Sequence, residues 1–331
     1  MSLFFICKAY TPSRRQAIAE AFKIYCQLYE EHLNWGYMGS ENITQHNLND
    51  QTQKNCIAYI TSESASEPAS FMWSSEKGFN AVGDYLFQAL SPADWFEQIH
   101  HALSTIRVYL PVDALRENTN EFDKLIKSLC NLLEPLHGSA GFGIQNCHEH
   151  QNYQHTEYEI LANYRGVDLS LLIANEHWRS GYSGLNWYTY INSDWIKNLT
   201  SEKPLTELLN DTRITITQET STTIIKAGHW PVLGKLDIDP LPELYVKVNK
   251  IIEPLRTTNI GSLHYGSIAG EIRFNVRTSN LWMHRFDLPP GRSAPTTPRQ
   301  YYRYSAAEVN KIEEERLMLD TLLNSSPPHR E

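Results

Sequence analysis

The side chains best suited to chemistry by type and spacing lie in one short polar segment. Cys147, His148, Glu149 and His150 are consecutive, and His155 follows five residues later. Cysteine and histidine are zinc ligands, and a His-x-His pair can bind a metal from a strand. A metal-dependent hydrolase that uses His148, His150 and His155 is therefore one hypothesis for this sequence.

The surroundings of this segment favour a solvated loop instead. Asn and Gln are frequent over residues 145–154, and no second cluster of ligands in the sequence has zinc-site spacing. The motifs of phosphate-binding loops, serine nucleophiles and zinc-peptidase helices are absent. Paired acidic residues are typical of solvated surfaces in a chain with a formal charge of −9. We therefore predict that the protein is not an enzyme and that it binds no metal and no cofactor.

Charge and composition restrict the partners and the compartment. A charge of −9 over 331 residues disfavours direct binding of nucleic acid or of anionic lipid, which require a basic surface. The longest apolar run, Leu3–Cys7, is far shorter than the about 20 residues that span a bilayer, and shorter than the apolar region of a signal peptide. The five cysteines have no C-x-x-C spacing and suggest reduced structural thiols. We expect a cytoplasmic protein without a membrane segment.

Apolar residues recur with helical spacing in three stretches of the chain, which predicts three amphipathic helices. The second and third sets follow the first at offsets of 104 and a further 119 residues. The sets are Ile18, Ala21, Phe22, Tyr25, Leu28 and Tyr29; Phe122, Leu125, Ile126, Leu129, Leu132 and Leu133; and Leu241, Leu244, Tyr245, Val248, Ile251 and Ile252.

The context of each predicted helix is also similar, which indicates an internal repeat. A strand-like run precedes each helix, a Gly-rich run follows it, and a second alternating run leads to a helix that begins near Trp95, Trp195 or Trp282. In the third copy the alternating run is 271–277 and Thr278 is the predicted cap. We predict an α+β fold built from β-α-β-β-α units at 3–103, 105–199 and 213–287, with largely antiparallel sheets and helices packed on one face.

Two further expectations concern the tryptophans and the end of the chain. The many aromatic residues could mark a binding surface, because aromatic side chains dominate interface contacts. Five tryptophans occupy matching places in the units and are expected instead to pack in the core or between units: Trp35, Trp95, Trp187, Trp195 and Trp282. Residues 288–299 contain four prolines and are typical of a stiff linker. Residues 305–324 are predicted to form a final helix.

Several stretches resemble one bacterial family. They are NYRGVD at 163–168, SGLNWYTY at 183–190, TIIKAGHWPVLG at 223–234, and the run ending Glu-Pro-Leu-Arg at 256. They are similar to the type VI secretion immunity proteins of the TsiV-like group, most clearly over 105–290. The domains are accordingly predicted as an N-terminal unit at 1–104, a TsiV-like core at 105–290, and a linker with a helix at 291–331. The motif residues are expected to be structural: Gly184, Asn186, Trp187, Gly228, Pro231 and Gly234.

The resemblance implies an antidote that binds a cognate antibacterial toxin, often a nuclease, and blocks its active site or substrate groove. A nuclease groove must be basic, so acidic residues in exposed loops are the predicted contacts. The candidates are Glu63, Glu67, Glu149 and Glu157, with Tyr153 as an aromatic anchor. The hydrolase described above and a structural repeat protein with an unrelated partner are the alternatives.

Overall fold

The structure is a computed structural model that describes most of the chain up to Asp287. The described residues are 1–8, 12–39, 41–44, 47–62, 66–78, 82–117, 119–146, 153–169, 176–199, 203–264 and 273–287. The predicted linker and helix at 291–331, like the loop histidines His148 and His150, lie outside them.

The strands form one sheet of 11 strands, which is antiparallel except for a two-residue strand, β8, that pairs in parallel with β7. The other ten strands follow the order β10-β11-β9-β7-β1-β6-β5-β4-β2-β3. Their bounds are β1 Ser2–Lys8, β2 Trp35–Met38, β3 Glu41–Thr44, β4 Ala69–Ser74, β5 Leu86–Ser91, β6 Leu103–Tyr109, β7 His137–Gly143, β8 Val167–Asp168, β9 Tyr188–Asn192, β10 Ile214–Gln218 and β11 Thr222–Ala227.

The α+β class and the largely antiparallel sheet are confirmed, whereas the repeat of three units is not. The first strand, β1, lies at the centre of the sheet between β6 and β7, with Phe5 opposite Ile106 on one side and Gly138 on the other. Strand β6 in turn pairs with β5. Strands of the first and second predicted units therefore alternate in one sheet. The domain boundaries at 104 and 290 stay predictions.

The described residues form ten α-helices and three short 3-10 turns. The helices are α1 Pro12–Tyr29, α2 Asp50–Ser62, α3 Asp94–His100, α4 Val112–Glu117, α5 Thr119–Leu133, α6 Tyr153–Asn163, α7 Ser193–Leu199, α8 Leu205–Leu209, α9 Glu243–Ile252 and α10 Val276–Met283. The 3-10 turns are Glu30–His32, Glu176–Arg179 and Glu253–Leu255.

The three predicted amphipathic helices are α1, α5 and α9. Their apolar stripes face the sheet, as the spacing of 3.6 residues per turn requires. Leu129 of α5 and Val248 of α9 hold the same place in the stripe and are both buried. On the strands that they cover, Phe5 stacks on Tyr190 with ring centroids 5.1 Å apart. This layer forms the larger hydrophobic core.

A second, smaller core covers the centre of the opposite face of the sheet, which the sequence did not predict. Because successive strand residues point to opposite faces, Ile6 of β1 enters this second core while Phe5 enters the first. Tyr158 and Leu161 of α6 and Met283 of α10 pack here. Helices therefore lie on both faces of the sheet, whereas they were predicted on one face.

At the end of the third predicted unit, the last helix begins earlier than predicted. The run up to Arg277 was expected to be a strand with Thr278 as the helix cap, yet α10 already begins at Val276. Asn275 is the cap, because its Oδ1 accepts hydrogen bonds from the backbone N–H groups of Arg277 at 2.9 Å and Thr278 at 3.0 Å. Trp282 consequently lies near the end of α10 and not at its start. A side-chain cap overrides an alternating pattern that is only seven residues long.

Two further observations concern the cysteines and the lengths of the helices. Cys7, Cys26, Cys56 and Cys130 are buried and free, as expected of structural thiols, and Cys147 lies outside the described residues. None of the helices described by the structure combines the length and apolar composition that a bilayer crossing requires.

Candidate functional site

Three of the five predicted toxin contacts lie in the described part of the chain. Glu63 and Glu149 lie outside the described residues. Glu67 is exposed, as predicted, in the segment between α2 and β4. Tyr153 is half-buried at the start of α6, and Glu157, one turn later, is buried.

Glu157 is a correction to the sequence analysis, because it is 1% exposed and cannot contact a partner. Its Oε2 lies 2.8 Å from Nε2 of His264, and its Oε1 accepts a hydrogen bond from Asn146 Nδ2 at 2.8 Å. His264 Nδ1 accepts a hydrogen bond from the backbone N–H of Phe274 at 3.0 Å. That bond places the proton of a neutral His264 on Nε2, where it is donated to the carboxylate. The pair joins α6 to the segment before α10.

Tyr153 packs beside this buried pair. Its ring lies edge-on to the ring of His264, with centroids 5.8 Å apart. The prediction placed Tyr153 between two exposed carboxylates, and burial of Glu157 removes one of them. Any contact of Tyr153 with a toxin stays a prediction.

The metal-site hypothesis depends on residues that are mostly outside the described part. His148 and His150 are not described, and His155 lies on α6. Within the described residues, no three His, Cys, Asp or Glu side chains lie close enough together to hold a metal ion.

Asn186 and Trp187 of the family motif join the centre of the sheet to the loop after β11. Asn186 Nδ2 donates to the carbonyl of Phe142 at 3.1 Å, and its Oδ1 accepts from the backbone N–H of Trp187 at 2.7 Å. The indole N–H of Trp187 donates to the carbonyl of Gly228 at 2.8 Å. Trp187 is fully buried. The hydrogen bonds of both side chains therefore lie within the fold, and a purely structural role for the motif stays a prediction.

Gly228 and Gly234 allow the loop between β11 and α9 to turn. Their φ values are +98° and +59°, in the left-handed region that favours glycine. Pro231 between them is buried, and the backbone N–H of Val232 donates to the hydroxyl of Tyr245 at 3.2 Å. Nothing in the described residues explains a requirement for glycine at 184.

A buried ion pair lies under this motif. Arg285 Nη2 is 3.0 Å from Asp168 Oδ1, and Ser139 Oγ donates to Asp168 Oδ2 at 2.8 Å. Arg285 also donates to the carbonyls of Arg165 at 2.9 Å and Leu185 at 2.8 Å. Burial raises the pKa of Asp168 against the opposing charge of Arg285, and lowers the pKa of Arg285 to about 10. Both groups lose hydration on burial, so the pair joins these segments specifically and is weak evidence for added stability.

The arginine that ends the Glu-Pro-Leu-Arg motif, Arg256, belongs to a second charged cluster. Arg256 binds Asp287 with two parallel hydrogen bonds of 2.7 and 2.8 Å. His284 Nδ1 lies 2.6 Å from Asp287, and Asn249 Nδ2 donates to it at 2.8 Å. Burial alone would raise the pKa of Asp287, but the hydrogen bonds from His284, Arg256 and Asn249 outweigh it and hold the pKa well below its usual value. The cluster joins the end of α9 to the turn after α10.

A small cavity lies between the centre of the sheet and the second core. Its volume is about 30 Å3, and polar groups of Ser139, Asp168 and His137 line it with Trp178 and Trp282. That volume holds about two water molecules. The carboxylate of Asp168 in its wall is already bound by Arg285 and Ser139.

His137 is the most strongly perturbed histidine among the described residues. Its Nε2 is 3.1 Å from the carbonyl of Trp178 and must carry a proton, since a carbonyl can only accept. Burial lowers the pKa of His137 to about 3, despite the opposing effect of that hydrogen bond. A neutral imidazole enclosed between Trp178 and Trp195 is a structural group.

The members of these clusters are far apart in the chain, so no sequence motif marks them. Asp168 and Arg165 lie in the NYRGVD stretch, which was noted only as part of the resemblance. Arg285 and His137 belong to none of the motifs that were identified in the sequence. Each described cluster joins one segment of the chain to another, so its residues already have partners within the fold.

Comparison with known proteins supplies the family. A protein-family model named TsiV, described as type VI immunity for VRR-NUC, matches residues 17–286. A solved structure, the Pseudomonas aeruginosa T6SS protein PA0821, has a similar fold with a TM-score of 0.76 and 21% sequence identity. The similarity covers 96% of this chain and 84% of that one. No curated protein sequence gives a significant match. Because the family match covers most of the chain and includes most of the N-terminal unit, this chain belongs to the TsiV family of type VI immunity proteins for VRR-NUC.

Proposed function

We propose that this protein binds a VRR-NUC nuclease effector in the cytoplasm of the cell that makes it, and neutralises the effector by covering its active site or substrate groove. The observation that carries the proposal is the family match over residues 17–286. The cytoplasm is the compartment in which such a nuclease would meet the DNA of its host cell.

Electrostatics support occlusion of the groove. A nuclease must hold phosphates, so its substrate groove carries basic side chains. This chain has a formal charge of −9, and opposite potentials raise the rate of encounter. Glu67 is a described and exposed carboxylate that is able to occupy such a groove. The same charge disfavours direct binding of nucleic acid, so the partner is the nuclease alone.

Inhibition by binding requires no chemistry from the antidote. The buried carboxylates of Asp168 and Glu157 are each bound by a cationic or neutral partner within 3.0 Å. They hold the fold together, while the exposed segments are available for the partner. One bound molecule of this protein should then inhibit one molecule of nuclease.

The test uses this chain with the VRR-NUC effector of the same organism. Titration of the purified chain into a DNA-cleavage assay should abolish cleavage at a ratio of one to one, and affinity should fall as salt increases. A DNA duplex added to an inactive effector variant should compete with the chain for binding. Absence of binding would refute the proposed function, and simultaneous binding of DNA and chain would refute occlusion of the groove.

A further inference from the structure

Helix α3 presents a group of large apolar side chains to solvent. Trp95 is 49%, Phe96 40% and Ile99 65% exposed, and no residue of this seven-residue helix is buried. These three are among only eight large hydrophobic residues that are exposed in the described part of the chain. Clustered apolar residues on a surface indicate an interaction site, whereas single ones do not. We call these three side chains the α3 patch.

Trp95 is the exception among the tryptophans. Trp95 was expected to pack in the core or between units, and all eight tryptophans of the chain lie in described residues. Five of them are less than 9% exposed and two more are partly buried, which leaves Trp95 as the one on the surface. Tryptophan is the residue most enriched among the energetically dominant contacts of protein interfaces.

The α3 patch is held in place by contacts around it. The indole N–H of Trp95 donates to the carbonyl of Ser66 at 3.1 Å, and the Trp95 and Phe96 rings pack edge to face with centroids 5.5 Å apart. On the other side of the helix, Glu97 forms an ion pair of 2.7 Å with Arg179. Side chains that are already fixed lose little conformational entropy on binding, so this arrangement favours affinity.

The same contact brings an acidic residue to the edge of the patch. Glu67 directly follows Ser66, whose carbonyl binds the Trp95 indole, and Glu67 is exposed. Its own carbonyl is bound by the guanidinium of Arg15, which fixes the turn. Asp94 precedes Trp95 at the start of α3. An apolar centre with acidic residues at its rim is the arrangement expected for a partner that presents apolar residues within a basic surface.

We propose that the α3 patch, with Glu67 at its rim, is the apolar anchor of the interface with the nuclease effector. The inference rests on the proposed function and adds to it the surface that makes the contact. Trp95 fills a pocket on the nuclease, and Glu67 faces one of the basic groups that would otherwise bind phosphate.

Two other molecules or segments could cover the α3 patch: a second copy of this chain, or the predicted C-terminal helix. The acidic residues around the patch argue against both. In a symmetric dimer the same patch meets itself, so Glu67 and Asp94 would approach their own copies. The predicted C-terminal helix at 305–324 carries Glu313, Glu314 and Glu315, which acidic neighbours would repel. A nuclease surface is basic and has the complementary sign.

The experiment compares two isoleucines of equal exposure. Ile99 in the patch is 65% exposed, and Ile238 in the loop before α9 is 62% exposed. Affinity for an inactive VRR-NUC effector is measured by titration calorimetry with the full chain, its Ile99→Ser and Trp95→Ala variants, and the control Ile238→Ser. Trp95→Ala should weaken binding about 30-fold or more, and Ile99→Ser should weaken it clearly, whereas Ile238→Ser should stay within about twofold.

A second pair of variants tests the acidic rim. Glu67→Arg should lower the association rate and weaken its dependence on salt, whereas Glu76→Arg, at another exposed position, should change neither by more than about twofold. Melting temperature and size-exclusion elution are recorded for every variant. Unchanged melting of Trp95→Ala together with weaker binding supports the proposal.

The outcomes separate this proposal from the proposed function. If the unaltered chain binds the nuclease and Trp95→Ala and Ile99→Ser bind equally well, the α3 patch is not the interface while the function stands. A lower melting temperature with unchanged affinity would show that the chain itself covers the patch. Loss of a dimer in Trp95→Ala would assign the patch to a second copy. If the unaltered chain does not bind, both proposals fail.

Discussion

Acidification should destabilise this protein through His137. The imidazole is 1% exposed and is enclosed by aromatic rings, and burial lowers its pKa from 6.5 to about 3. The unfolded chain therefore binds a proton on this residue at a pH where the folded chain does not. Since protons favour the state that binds them, the stability that neutral His137 contributes is fully present above pH 6.5 and decreases as pH falls towards 3.

The magnitude follows from the two pKa values. A pKa difference of one corresponds to about 1.4 kcal/mol. At pH 5 the unfolded chain is protonated at His137 and the folded chain is still neutral, so lowering the pH from 7 to 5 should reduce the free energy of unfolding by about 2 kcal/mol through this residue alone. The maximum effect, reached near pH 3, is about 5 kcal/mol.

The assay removes the contribution of the other titrating groups by comparison with a variant. His137→Gln retains an N–H that can donate to the carbonyl of Trp178 but does not titrate. Urea unfolding of both proteins is measured at pH 7 and at pH 5. The unaltered protein should lose about 2 kcal/mol more than the variant between the two conditions, whatever the absolute cost of the substitution. The imidazole C–H resonance of His137 should also keep its neutral chemical shift at pH 5.

Two results would refute this reasoning. Equal losses in the two proteins would mean that His137 has a similar pKa in the folded and unfolded states. A resonance that moves with a midpoint near 6.5 would mean that water reaches the imidazole in the folded protein, contrary to its burial.

Three other predictions concern the core, the buried ion pair and catalysis. Leu129→Ala should lower the free energy of unfolding by about 2–5 kcal/mol, and an unchanged melting temperature would contradict the burial of α5. Arg285→Met should cost about 3–5 kcal/mol because Asp168 loses its cation, whereas Arg285→Met with Asp168→Leu should recover much of that loss. Equal stability of the single and double variants would refute the coupling. The purified chain should show no nuclease, esterase or peptidase turnover and no bound zinc by elemental analysis. Stoichiometric zinc with turnover that His148→Ala abolishes would contradict this.

The sequence alone was sufficient to predict the three amphipathic helices and the protein family. The stripes of α1, α5 and α9 are local patterns, because residues three and four apart lie on one helix face whatever the rest of the chain does. Gly228 and Gly234 have positive φ values, a conformation that glycine adopts more readily than other residues. The ordered set of short motifs was sufficient to identify the immunity family, and the absence of catalytic motifs directed attention to binding.

The order of strands was decided by tertiary structure. Similar local context suggested three separate units, yet β1 pairs with both β6 and β7 in one sheet. Strand pairing joins residues more than 100 positions apart, and a strand pattern states which face is buried without naming the neighbouring strand. The same limit applies to α10, where the cap provided by Asn275 decided between helix and strand.

Burial of individual polar and apolar residues was also decided by tertiary structure. Glu157 was expected on the surface, but it is buried and accepts a hydrogen bond from His264, more than 100 residues later in the chain. Trp95 was expected in the core or between units, but no residue of α3 is buried and Trp95 is about half exposed. Hydropathy alone sets the average tendency of a residue, whereas the partner that satisfies a carboxylate or covers an indole depends on segments brought together only by the fold.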